Sequence, residues 1–84
     1  MTPEQLFEYA IQHARQAEAD GKGTQYPTFQ DVAKRFRVNH EAIEQACDDF
    51  DQANGYMKPA VGVRCGSAVG VFEHKGQWLV EAYS

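Results

Sequence analysis

Apolar residues recur at helical spacing in three separate stretches of this chain and then switch to strict alternation toward its end. In the first stretch, Leu6 or Phe7, Ala10, Ile11, Ala14 and Ala17 fall on one side of a 3.6-residue period. Thr2-Pro3-Glu4-Gln5 supplies a hydroxyl cap, a proline at the first helical position and a glutamine at the third. A helix is therefore expected from there to about Asp20, where Gly21-Lys22-Gly23 ends it. So many alanines on the apolar side predict close approach to another helix. Tyr9 and His13 lie four apart, off the centre of the stripe, and are placed to pair locally as a partly buried ring beside an exposed imidazole.

The second stretch sets Phe29, Val32, Ala33 and Phe36 on one face, and the third does the same with Ile43, Ala46, Cys47 and Phe50. Thr28 with Asp31 reads as the N-cap of one helix and Asn39 as the N-cap of the next. Only Arg37 and Val38 separate the two helices, which leaves room for a turn and nothing more. This is the pattern of a helix-turn-helix, and an ordinary αα-hairpin is the plainer alternative. Before it, residues Gly23 to Pro27 form a short connector with Tyr26 as its large side chain. After it, Ala53-Asn54-Gly55 supplies a glycine-based stop.

From Tyr56 onward the period becomes two. Ala60–Cys65, Val69–Glu73 and Gln77–Tyr83 read as strands, with Gly66-Ser67 and Lys75-Gly76 as their turns. A two-residue loop at Lys75-Gly76 fixes the register: Glu73 opposes Trp78, Phe72 opposes Leu79, Val71 opposes Val80, and Val69 opposes Ala82. One sheet face then carries Val69, Val71, Trp78, Val80 and Ala82, and is expected to cover the helices. The other carries Phe72, Leu79 and Tyr83, more apolar surface than a solvated hairpin requires, and so a candidate homodimer or partner surface. A slip of one residue would exchange the two sets.

With these elements in place, DVAKRFRVNHEAIEQA resembles the helix-turn-helix of bacterial repressors. Ala33 stands where that motif keeps a small residue, Val38 follows the turn, and Ile43 lies in the second helix. The sequence departs at Arg37, where the motif usually places a glycine able to take positive φ, which predicts a wider turn or local strain. The order helix, short strand, helix, helix, β-hairpin is that of a winged helix, with GTQYP at the place of the minimal strand. The resemblance thereby extends over nearly the whole chain and is clearest in TFQDVAKRFRVNHEAI and GVFEHKGQWLV. It implies a single α+β winged helix-turn-helix domain over residues 1–84: a first helix within 1–21, the helix-turn-helix at 28–53 and a β wing at 60–83. Three helices would be followed by a two- or three-stranded antiparallel hairpin or meander.

Length and composition narrow the picture. At 84 residues the chain has room for one small core, and its plentiful apolar and aromatic residues are not those of a disordered chain. A net charge of −4 argues mildly against a general nucleic-acid coat. No segment is apolar for long enough to span a bilayer. Glu4, Glu8 and His13 interrupt the N-terminal stretch where a leader would need an apolar run, so a cytoplasmic location is expected. Cys47 and Cys65 lack CxxC spacing. They read as small buried hydrophobes in a reducing compartment rather than as metal ligands with His40 or His74, and no metal or cofactor is expected.

In DNA-binding winged helices the second motif helix enters the major groove. The resemblance carries that role to Asn39, His40, Glu41, Glu44, Gln45 and Asp48. Asn39, His40 and Gln45 suit base readout. The other three are acids, Asp49 and Asp51 lie just beyond, and no Lys or Arg falls between Val38 and Met57. Carboxylates near phosphates oppose the counterion release that drives binding. The cations lie elsewhere: Lys34, Arg35 and Arg37 around the turn, Arg64 by one hairpin turn, and His74 and Lys75 by the other. These suit phosphate contacts, while Lys34–Arg37 also fits a solvated helix end next to the negative pole of its dipole.

Two functions follow. The leading one is a small regulator of transcription, bacterial or phage-like and dimeric, that binds double-stranded DNA. The alternative is a protein-recognition module, or nucleic-acid mimic, whose acidic helix (Glu41, Glu44, Asp48, Asp49, Asp51) docks on a basic protein, with Phe72 and Leu79 as a further contact. Catalysis is not expected, because the three histidines are scattered and no nucleophile elbow, phosphate loop or zinc signature is present.

Overall fold

A computed structural model describes residues 1–53 and 67–83. Its elements are α1 (Pro3–Ala19), α2 (Phe29–Phe36), α3 (His40–Ala53), β1 (Ala68–His74) and β2 (Gln77–Tyr83). The expected Ala60–Cys65 strand, the Asn54-Gly55 stop, Gly66 of the first turn, Arg64 and Cys65 lie outside the described residues.

Each helix begins where its capping chemistry says. Thr2 Oγ1 accepts from the Gln5 N–H while Gln5 Oε1 accepts from the Thr2 N–H, so two of the helix's unpaired donors are satisfied reciprocally. Thr28 and Asp31 do the same for α2. Asn39 Oδ1 accepts from the Ala42 N–H at 2.9 Å and opens α3.

Between α2 and α3 the chain reverses through Arg37 in the left-handed region, at φ 55° and ψ 52°. The expected glycine is absent, yet the backbone takes the glycine conformation. The crowding of Cβ against the carbonyl costs about 1–2 kcal/mol for such a residue. Arg37→Gly is therefore expected to raise stability by about 1 kcal/mol, seen as a melting temperature higher by about 4–8 °C in a domain of this size. An unchanged or lower midpoint would mean that the arginine side chain holds the turn.

The hairpin shows the counted register throughout, from Ala68↔Tyr83 to His74↔Gln77. Lys75 and Gly76 both have positive φ, 50° and 80°, as a tight two-residue turn matching strand twist requires. Next to β2, on the edge away from β1, Thr28 bridges Leu79 and the Val80 N–H donates to the Pro27 carbonyl. The minimal strand expected at GTQYP is thus a single bridge at its C-terminal boundary.

One core joins all five elements. Leu6, Ala10, Ile11, Ala14 and Ala17 are the buried residues of α1, as the stripe predicts. α1 packs on α3 and on β2, so its alanines admit a strand as well as a helix. Phe7 stacks on Phe50 of α3 with ring centres 4.6 Å apart. Tyr9 meets Phe36 edge-on at 5.5 Å and His13 at 6.0 Å, and the local Tyr9–His13 pairing is present. Val69, Val80 and Ala82 of the hairpin's inner face are buried against the helices. Trp78, on the same face but one pair from the tip, overhangs the core and is 47% exposed. No helix among the described residues is long and apolar enough to cross a membrane.

Candidate functional site

The cations of the α2–α3 turn share one region of the surface. Lys34 and Arg35 are exposed in the last turn of α2, and Arg37 is exposed at its end. The Arg35 guanidinium lies over the Phe36 ring, 5.0 Å from its centre, which holds the stem while the charge faces water. Lys75 is exposed at the hairpin tip beside His74.

Along α3, Glu41, Glu44, Gln45, Asp48 and Asp49 are exposed. Gln45 Nε2 donates to Asp49 Oδ1 at 2.8 Å, so the amide assigned to base readout already has an acceptor on its own helix. Asn39, the other amide, commits its oxygen to the α3 cap and keeps only its NH2 group. His40 is exposed at the first position of α3, its ring edge-on to Phe29 at 4.8 Å.

Asp51 does not belong to the acidic surface. It is buried, and its Oδ1 accepts from the Val69 N–H at 3.1 Å, tying the end of α3 to the start of β1. In this register the Val69 N–H points away from β2 and needs a partner. The position was legible in the sequence, because Asp51 continues the Ile43, Cys47 row at i+8 and i+4 and so falls inside the buried stripe. Cys47 lies alongside, and burial pushes its thiol up to about 12, with Asp51, Asp48 and Glu44 adding to the effect. It is a core residue.

Burial also raises the Asp51 carboxyl above its ordinary value, against the Val69 hydrogen bond and helped by the nearby Asp48 charge. A carboxyl whose folded pKa exceeds its unfolded one stabilises the fold fully below the unfolded value, about 3.9, and that contribution is lost as pH rises through the folded value. Asp51→Asn keeps an acceptor for Val69 without a charge, so it is expected to flatten this part of the stability–pH profile and to match or exceed the parent at pH 7. Asp51→Ala leaves the Val69 N–H orphaned and is expected to cost about 1–3 kcal/mol. Urea titrations at several pH values check both.

The outer hairpin face is partly covered. Phe72 and Leu79 are half-buried, with Tyr26 edge-on to Phe72 at 6.4 Å and its hydroxyl donating to the Ala82 carbonyl. Tyr83 is 50% exposed, its hydroxyl donating to Glu81. Tyr26, Phe72 and Leu79, rimmed by His13, Asp31 and His74, line an open groove of about 620 Å³. Sequence reasoning expected an apolar face there but not its covering by Tyr26.

Reasoning from sequence also missed the contact of Trp78 with Phe29, whose rings lie 6.1 Å apart at 39°. Through Phe29 and His40 this links the hairpin to the first residue of α3. The proximity of Trp78 to the Lys75-Gly76 turn was the available signal, since a side chain so near the tip overhangs the core. No family model, curated protein or solved structure matches this chain.

Proposed function

We propose that this protein is a winged helix-turn-helix that binds double-stranded DNA as a regulator of transcription. One observation carries the reading. Two capped helices joined at a left-handed Arg37 precede a two-stranded hairpin that packs on the third helix, the layout in which a helix and a β-ribbon approach a duplex together. Exposed Lys34, Arg35, Arg37 and Lys75 supply phosphate contacts. Such binding weakens as salt rises, with log K falling by about 0.9 per log unit of salt for each phosphate neutralised. A salt titration against duplex DNA tests it. A steep negative slope supports the reading, and no retention at low salt or a flat response eliminates it.

The exposed row of Glu41, Glu44, Asp48 and Asp49 favours a second reading, in which α3 docks on a basic protein. Captured basic partners should be lost on Glu44→Lys/Asp48→Lys. Retention by that variant removes the second reading.

A further inference from the structure

Resting on the reading in which α3 docks on a basic protein, we infer that the anchor of that contact is an arginine of the partner, seated on Trp78 between the carboxylates of Glu73 and of the start of α3. Trp78 lies on the sheet face that buries Val69, Val80 and Ala82, yet nearly half of it remains in water. Phe29 is buried beside it, with the two rings 6.1 Å apart, so the indole has a packed support. Tryptophan is among the side chains that most often dominate a protein interface.

Two contacts set the direction of β1, which packs on α3. The Val69 N–H meets Asp51 near the end of the helix, while Phe29, which touches Trp78, takes the ring of His40 at its first position. β1 therefore runs back along α3. Four strand residues, from Val69 to Glu73, advance about 13 Å, which is the rise of about nine helical residues. Counted back from Asp51, this brings Glu73 level with the first turn of α3, where Glu41 and then Glu44 are exposed. Glu73 is exposed too, and it is the direct cross-strand partner of Trp78, which sets the two Cβ atoms about 4.5–5.5 Å apart.

Charge then names the occupant. Among the described residues Glu41, Glu44 and Glu73 make no ion pair, so Lys75 and Arg37, the nearest cations along the chain, are not bonded to them. Asp48 and Asp49 continue the negative row along the helix. A planar guanidinium stacks on an indole face and forks its N–H donors onto flanking carboxylates, which an ammonium does less well. Phosphate has the wrong sign for this place.

Trp78 is the chain's one tryptophan, so its fluorescence reports the contact without any substitution. The full chain is titrated at low salt with capped hexa-arginine and, in parallel, with capped hexalysine of equal charge. The expected result is a saturable change in Trp78 emission with hexa-arginine, and binding about threefold tighter than that of hexalysine. By anisotropy of labelled peptide, Trp78→Ala should weaken hexa-arginine binding about tenfold. Glu73→Gln should weaken it about threefold, and because Glu73 is exposed this variant tests the site even where truncation at Trp78 loosens the hairpin. Equal affinity for the two peptides, unmoved emission, or parental binding by both variants overturns this inference. If Glu44→Lys/Asp48→Lys then abolishes peptide binding, the docking of α3 on a basic protein still stands. Emission that shifts with protein concentration alone assigns the indole to a second copy and also overturns the inference. No binding of either peptide at low salt overturns both.

Discussion

Phe50→Ala is expected to remove about 3–5 kcal/mol of stability, the largest effect of any single truncation considered for this fold. The ring is 5% exposed and stacks on Phe7 at an interplanar angle of 10°, so it forms the main aromatic contact between α1 and α3. Truncation loses both the transfer energy of the ring and its stacking on Phe7, and leaves a void in the core cluster to which Leu6 and Ile43 also belong. A domain of this length holds roughly 4–13 kcal/mol in total. The variant should therefore show a urea midpoint lower by about 2 M, or no folded baseline at all, in a circular-dichroism titration. A loss below about 1 kcal/mol would mean that α1 and α3 are not joined through these rings.

The second large effect is on binding. Replacing Lys34 and Arg35 by alanine and Arg37 by glycine in one variant should lower the slope of log K against log salt by about 2.7, and weaken duplex binding at moderate salt by about a hundredfold. Glycine is chosen at Arg37 because the left-handed backbone there welcomes it, so a loss of binding cannot be traced to a strained turn. Arg35 lies over Phe36, and its truncation also removes some packing. A thermal melt separates that contribution. The expected outcome is a folded variant with weakened, less salt-sensitive binding. An unchanged slope would exclude these three cations from the interface and turn attention to the acidic row of α3.

Much of the architecture was legible because it rests on local chemistry. Thr2, Thr28 and Asn39 cap helices through hydrogen bonds that span three residues, and such bonds need nothing from the rest of the fold. The hairpin register follows from a two-residue loop and the period of a strand. The candidate site was legible only in part. Its exposed charges follow from their positions off the apolar stripes, whereas charge alone groups Asp51 with the surface acids. Its place on the helix puts it inside, where it serves the Val69 N–H.

By itself, then, the sequence determined where the three helices begin, how β1 pairs with β2 and which aliphatic residues form the core, since each depends on neighbours a few positions away. Tertiary structure alone decided the left-handed turn without glycine at Arg37, the strand bridge of Thr28 to Leu79, and the covering of Phe72 by Tyr26. It also decided the ridge from Trp78 through Phe29 to His40. The physical reason is common to all four. Each outcome was set by the packing of whole elements, which fixes backbone angles and brings together side chains that no periodic pattern relates.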